Sequence, residues 1–457
     1  MSILKFLFLF VGFCVSAADW PTYMGDDARS GVSLEQLKLP LEQSWVHQPL
    51  HAPRPAWRGP AKRDMYNKVG VLKNRQMFDH AFHVIADGKQ VYFGSSADDQ
   101  VHCLDLNSGE ERWSFFTEGP VRFAPTLYDG RLFVGSDDGH AYCISTDGKY
   151  IWKKLLAPRD YRIAGNNRII SAWPLRTGIL IRNGIAYAGA GMFPKETVHL
   201  VAFDSVNGKV ERWRTEQNTW PAQGYLLLSE SYVYVPTGRS NPIVYNLNNG
   251  KLFKNLSGSS DKFTLIKWDK DTLVGMPNPR QKGRILGLIP DTNKDSYATF
   301  TGNHMIVHGG KSYLQASKEL HVLDRIRYLK LETKHKKSSE DRKDLADEYK
   351  LIENKDSPEA KKNRGQDKVL IEGLRKIEAD IRKCLLWREP CNQQHALILA
   401  GDTLFAGGNN EVVAYSAKDG KRVWRTPVNG AAMGIAVAHG RLLVSTDKGT
   451  IYCFGAK

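Results

Sequence analysis

The chain has no CxxCH, no CxxC pair and no histidine cluster at zinc-ligand spacing. Covalent c-type haem and a zinc knuckle are therefore not indicated. Long apolar runs are also missing. The one such stretch, FLFLFVGFCV, is too short to anchor a chain across a bilayer. Lys5 precedes it and the small residues SAAD follow, so residues 1–18 are expected to be a secretory signal, with a soluble chain from about Asp19 onward. Cys14 is not read as a lipidation site, because Phe13 stands where a small residue is needed. No Ser-His-Asp set is recognisable from spacing, since triads assemble from distant segments. DTNKDS, residues 291–296, has alternating acid and amide positions but Ser296 where a calcium loop needs glycine and Gly302 where it needs an acid. His304 and His308 fall in a strand-like region, where that spacing does not favour a shared metal. No catalytic residue and no metal ligand is assigned.

Cysteine is scarce, with six in 457 residues. Cys384 and Cys391 flank the Pro390 turn in CLLWREPC and are expected to form a disulfide in an oxidising compartment. Cys103, Cys143 and Cys453 recur at one position of a repeat and are read as small apolar core filling.

Glycine and positive charge are plentiful: 40 glycines, and 64 Lys and Arg against 49 Asp and Glu, a formal charge of +15. A basic surface attracts nucleic acid, anionic lipid or acidic polysaccharide. An exported protein rarely meets nucleic acid, so no nucleic-acid partner is expected; a protein partner or an acidic polysaccharide is.

Self-similarity is the strongest signal. FGSSADDQVHCLDLNSGEERW, VGSDDGHAYCISTDGKYIW, VHLVAFDSVNGKVERW, NPIVYNLNNGKLF and AGGNNEVVAYSAKDGKRVW share one plan. Each reads as an alternating strand, an Asp/Asn/Ser-Gly turn, a short strand, then Trp or Phe. Trp45, Trp113, Trp152, Trp213, Trp387 and Trp424 are expected to close and dock the units. Trp113 and Trp152 are 39 residues apart, close to the period of about 40 for a four-stranded blade. Gly-led strands near residues 94, 135, 189, 236, 275, 308, 406 and 445 number eight. The expected fold is all-β, an eight-bladed β-propeller over residues 19–457, or a seven-bladed one if the unit near 275 is a loop. The last unit lacks an outer strand, which the segment around Trp45 is expected to supply, hiding both sheet edges.

Residues 325–383 interrupt the pattern. Leu345, Tyr349 and Ile352, and then Leu370, Leu374, Ile377 and Ile381, recur at helical spacing. Ser357 suits a helix cap and Pro358 a first helical position. The expectation is an antiparallel coiled-coil hairpin inserted at a blade turn, with a narrow seam and little need of the ring, and therefore dispensable for folding.

DWPTYMGDDARSG resembles the WP-x-x-x-G-x-x-x-x-x-G opening of bacterial PQQ-like β-propeller repeat proteins, and VHCLDLNSGEERW resembles their Trp-docking motif. SSADDQVHCLD, FFTEGPVRFAPTLYDGRLFVGSDDG and AWPLRTG, with the helical insertion before LILAGDTLFAGG, are similar to a subgroup exported by planctomycete-type bacteria. The resemblance covers nearly the whole chain after the signal. It implies one of two roles. One is a quinoprotein alcohol or sugar dehydrogenase, with pyrroloquinoline quinone (PQQ) and calcium on the ring axis. The other is non-catalytic, as in the propeller lipoprotein that helps assemble outer-membrane β-barrels. Quinoproteins commonly set a disulfide of adjacent cysteines against the cofactor, and no Cys-Cys pair occurs here. Nor is there a clear calcium-ligand set, so no cofactor is expected. The expectation is an exported binding or protein-interaction scaffold, periplasmic or secreted.

Residues just before the first strand of each blade should face the central channel. Arg122, Arg168, Trp173, Arg176, Gln223 and Arg239 lie there or in neighbouring loops. Arg offers bidentate hydrogen bonds and Trp a stacking face, which suits a planar or sugar-like anion. The same arginines equally suit pairing with Asp79 and loop carbonyls, tying blades together.

Overall fold

The computed structural model describes residues 18–57, 77–165, 168–238, 242–256, 264–268, 271–277, 283–288 and 298–457. Among these, eight four-stranded antiparallel units follow one another around a ring. Blades 1 to 4 run from Val84–Ala86 to Glu111–Phe116, Thr126–Tyr128 to Tyr150–Leu155, Leu180–Arg182 to Glu211–Gln217, and Leu227–Leu228 to Leu252–Asn255. Blade 5 runs from Thr264–Trp268 to Ala298–Thr301, and blade 6 from His304–His308 to Leu385–Pro390. Blades 7 and 8 share the long strand Arg422–Ala438, which is the outer strand of one and the inner strand of the other. The unit near residue 275 is thus a full blade, and the count is eight.

Ring closure follows from the missing outer strand. Leu41–His47 pairs antiparallel with Ile451–Ala456, Trp45 opposite Cys453. An N-terminal strand thereby finishes the C-terminal blade and covers the edge that Ile451–Ala456 would otherwise expose.

The repeated tryptophans act as clasps between neighbouring blades. Trp45, Trp113, Trp152 and Trp213 donate from Nε1 to the carbonyls of Leu106, Thr146, Val206 and Leu247, at 2.8 to 3.1 Å. Trp387 reaches Ala417 at 3.2 Å and Trp424 reaches Leu41 at 3.0 Å. For all but Trp424, the acceptor lies in the outer hairpin turn of the next blade. Gly148 shows why that turn needs glycine: its φ is +84°, and a Cβ there would stand 2.7 Å from Cδ2 of Trp113. Gly109, Gly208, Gly250 and Gly420 sit under Trp45, Trp152, Trp213 and Trp387 in the same way.

Across each hairpin a small residue faces the clasp: Cys103 opposite Trp113, Cys143 opposite Trp152, Ala202 opposite Trp213 and Ala414 opposite Trp424. This explains the three repeat cysteines. They are buried, and burial pushes each thiol up to about 12, which keeps it protonated and inert.

Two sequence expectations need correction. Cys384 and Cys391 are free, and they stand at opposite ends of the strand Leu385–Pro390. An extended strand rises about 3.3 Å per residue, so seven steps separate them by roughly 23 Å, whereas a disulfide needs Cα atoms within about 7 Å. Cys384 packs with Tyr328 and Leu329, and Cys391 with Tyr415. The second correction concerns blade 4, where Phe253 was read as the closing aromatic. The register shift beside Leu252 instead puts Lys254 at the clasp position, opposite Val244. Phe253 packs at a tilt against Tyr232, 4.7 Å between ring centres.

The insertion forms two helices, α1 (Arg325–Leu351) and α2 (Pro358–Arg382). Asp324 caps the first, and Ser357, followed by Pro358, caps the second. The cross-pairs Arg327 with Asp380, His335 with Glu378 and Arg342 with Asp367 show that they run antiparallel. Their base is not detached from the ring. Leu329 is fully buried, and Tyr328 packs at a tilt against Phe300, 5.2 Å between ring centres, and donates its hydroxyl to the Thr299 carbonyl in blade 5. With Ile285, Met305, Leu314 and Cys384 these residues form the core between blades 5 and 6. The apolar seam along the arm does not make it independent, because its first turn fills a place that no blade residue fills.

Candidate functional site

The opening motif crosses one end of the ring axis. Trp20 exchanges two backbone hydrogen bonds with Ala86 of blade 1, at 2.9 and 3.0 Å. The Pro21 carbonyl accepts from Leu127 of blade 2, and that of Asp27 from Leu228 of blade 4. Val32–Ser33 then pairs in parallel with the inner strand of blade 7. Gly25 and Gly31 adopt φ of +88° and +65°, bending the chain so that the residues between them turn inward.

That bend delivers Arg29 to the axis, where it is 4 % exposed. Its Nε donates to the Leu226 carbonyl at 2.9 Å, and its Nη1 to Thr22 Oγ1 at 2.9 Å and the Tyr23 carbonyl at 2.7 Å. The guanidinium lies 5.8 Å and 5.3 Å from the ring centres of Tyr23 and Tyr225, which stack on each other at 3.7 Å. Burial pulls its pKa down to about 10, opposed in part by Tyr225 and Asp26. Above it lies a cavity of about 160 Å³. Its walls come from the inner strands and their approaches, with Met24, Met305, Ile306, Leu397, Met433 and Ile435 giving an apolar surface. His83, His304, Gln394 and His395 add polar groups.

At the other ends of the inner strands sits a buried ionic network. Asp137 is fully buried and takes a bidentate pair from Arg176, both bonds 2.9 Å, and a third bond of 2.6 Å from Arg122. Arg122 continues to Asp79 Oδ2 at 2.9 Å and the Arg54 carbonyl at 2.7 Å, and Asp79 also accepts from Ala56 N. Burial works to raise the Asp137 pKa, but Arg122 and Arg176 more than reverse it, so the carboxyl lies below its ordinary value. Such a network ties blades 1, 2 and 3 to the segment near residue 55.

The expected ligand residues are placed as follows. Arg122 and Arg176 meet on Asp137. Gln223 Oε1 accepts from Trp57 Nε1 at 3.0 Å. Arg168, at the start of the strand Arg168–Ser171, binds Asp99 and the Ala97 carbonyl, and Trp173 donates to the Glu196 carbonyl at 2.6 Å, so neither joins Arg122 and Arg176 on Asp137. Arg239, like DTNKDS, lies outside the described residues. Tyr23, Arg29 and Tyr225 were not singled out from the sequence as site residues. Arg29 sits within the quoted opening motif, but nothing local says that this motif reaches the axis.

Among the described residues one group has metal-ligand proximity: Glu118, Asp138 and His140, with ligand atoms within 4.8 Å of one another. Lys153 and Arg162 already neutralise Glu118, and Asp138 accepts from Tyr142, Glu118 N and His140 N. The group is a charge-balanced turn.

The fold and its tryptophan clasps define an eight-bladed β-propeller, similar to proteins of the PQQ-like repeat type. The family model described as outer membrane protein assembly factor BamB matches residues 54–172 and 383–457. Among solved structures, the quinohemoprotein alcohol dehydrogenase of Comamonas testosteroni is similar, with a TM-score of 0.60 at 13 % identity over 96 % of this chain and 81 % of that one. A europium-containing methanol dehydrogenase matches with a TM-score of 0.58 at 10 % identity, covering 96 % of this chain and 98 % of the other. The computationally designed Ika8 protein matches with a TM-score of 0.53 at 11 % identity, over 83 % of this chain and 97 % of that one. At such identities the likeness concerns the fold. No curated protein matches the chain.

Among the described residues, the cysteines and arginines do not fit PQQ with a divalent cation. No adjacent cysteines exist to lie against a planar ring system. The paired arginines that would answer its several carboxylates are already saturated by Asp137 and Asp79.

Proposed function

We propose that the chain is a binding or protein-interaction scaffold of the bacterial cell envelope. The observation that carries this reading is the arm. Helices of 27 and 25 residues extend roughly 40 Å at 1.5 Å per residue. Beyond their base they present charged, exposed faces. Beyond that base the arm contributes nothing to the ring's core, and its length and solvated faces suit engagement of another macromolecule. The family model's description, an outer membrane protein assembly factor, agrees with an envelope role. Among the described residues no helix is long and apolar enough to cross a membrane.

The test leaves the base intact. Residues 340–368 are excised and the helices rejoined by a short Gly-Asn turn, keeping Tyr328, Leu329 and Ile377. The shortened protein should keep the melting temperature of the parent and lose the partners that the parent recovers from native envelope extract. Unchanged recovery removes the docking role of the arm. A second reading rests on the net charge of +15: binding of acidic polysaccharide. Retention on an anionic glycan column, released only by high salt, supports it; elution with a neutral control protein removes it.

A further inference from the structure

Among the described residues, buried and half-buried arginines of the inner blades have carboxylate partners. Arg122 and Arg176 hold Asp137, and Arg182 holds Asp27 at 2.5 Å. Arg29 is the exception: among the described residues no carboxylate is within ion-pair range of it. Asp27 is taken by Arg182, and Asp26 Oδ1 accepts from Ser30 N. Carbonyls, one hydroxyl and two ring faces solvate the guanidinium on Nε and Nη1, while its Nη2 carries no hydrogen bond among the described residues. A buried cation without a counter-charge is costly, and an anion brought to it recovers much of that cost.

The same guanidinium lines the axial cavity. The volume, about 160 Å³, is close to the roughly 150 Å³ known to admit one benzene ring. Three of the apolar wall residues named above are methionines, Met24, Met305 and Met433, whose unbranched side chains adapt to irregular guests. The stacked Tyr23 and Tyr225 give the charged end an aromatic flank.

We propose that the axial cavity binds a small monocarboxylate with a single-ring or branched-chain apolar body, its carboxylate on Arg29 and its body against Met24, Met305 and Met433. One uncompensated cation answers one negative charge, which sets this ligand apart from polycarboxylates. The methionine-rich wall sets it apart from sugars, whose many hydroxyls would exceed the few polar groups of His83, His304, Gln394 and His395. The site is independent of the arm, so it stands or falls separately from the scaffold reading.

The experiment titrates the full chain with benzoate, 3-methylbutanoate and the uncharged benzyl alcohol, by calorimetry and ligand-observed NMR. A carboxylate should bind saturably, and benzyl alcohol at least about tenfold more weakly than benzoate, since a charge-assisted hydrogen bond is worth about 1.5–3 kcal/mol. Arg29→Gln should abolish the preference for the anion. Arg29 also ties the opening segment to blade 4, so Met433→Trp serves as the second variant: it fills the cavity and touches none of the Arg29 hydrogen bonds. It should abolish binding while the melting temperature stays within a few degrees of the parent. Absence of saturable binding for both carboxylates overturns the proposal. So does benzoate binding that survives Met433→Trp, or an equal affinity for benzyl alcohol.

Discussion

The seam between blades 5 and 6 is built differently from the seams closed by tryptophan. At six seams an outer-strand Trp reaches forward to a carbonyl in the next blade. At the 5–6 seam the hairpin turn of blade 6 has been replaced by the arm, and the bond runs backward: Tyr328 of α1 donates to Thr299 of blade 5. Phe300 and Tyr328 supply the ring contact that Trp and glycine supply elsewhere. An insertion at a clasp turn removes the clasp's receiving half, so it must itself bring an apolar residue and a hydrogen-bonding partner. The arm does both within its first turn and a half.

The largest test of this comparison is removal of the whole arm. Replacing residues 325–383 by a Gly-Asn turn takes away fully buried Leu329 and the nearly buried Tyr328. We expect a loss of about 5 kcal/mol, since truncating one such side chain costs about 2–5 kcal/mol. Chemical denaturation measures it, and a loss under about 1 kcal/mol would show that the base is decoration. Excision of residues 340–368 alone should cost almost nothing.

Next is Trp424→Ala, which removes a ring packed on Phe405 and Phe454 and the bond to Leu41 that helps hold the closing blade. A loss of about 3–5 kcal/mol is expected, with hydrogen exchange rising first in Leu41–His47. Protection lost instead in blades 5 and 6 would mean that the inverted seam is the weaker one.

Gly148→Ala tests the receiving half. A Cβ at φ +84° and 2.7 Å from Trp113 should cost about 1–3 kcal/mol. The same change at Gly309, where φ is +54° but nothing lies within 4 Å, should cost less, isolating the contact from the backbone strain.

Tyr328→Phe keeps the ring contact and removes the hydroxyl, so about 1 kcal/mol should be lost. Smallest is Arg325→Met. Arg325 is 4 % exposed and donates Nη2 to the Gly309 carbonyl, but among the described residues its Nε and Nη1 have no partner. Losing one bond while relieving two unpaired donors should leave stability within about 1 kcal/mol of the parent. A large loss would reveal a partner for Arg325 at the base of the arm.

Much of this was legible beforehand because it is local or repeated. The strand alternation, the Asp-Gly and Asn-Gly turns and the spaced tryptophans name the blade. The truncated last unit names the strand that must complete it, and Trp45 is found opposite Cys453. Local periodicity misled where a residue's place depends on register. Phe253 stands one residue before the clasp position, which the bulge common to these outer hairpins gives to Lys254, four residues after Gly250. Proximity in sequence misled for Cys384 and Cys391, because the turn imagined at Pro390 is the end of an extended strand.

By itself the sequence determined the class of fold, the closing strand and the site of the insertion, since each depends on hydrophobic period and turn chemistry within about forty residues, whereas the structure decided that the unit near residue 275 is a blade and the count eight. Only the tertiary structure decided which arginines share a carboxylate and which one has none. Arg29 and Tyr225 are 196 positions apart, and Asp137 and Arg176 belong to neighbouring blades. Charge pairing in a closed ring is settled by what the axis brings together. The same holds for the arm: its helical seam is written in α1 and α2, but the fit of Tyr328 to Thr299 arises from two blades meeting, which no local pattern encodes.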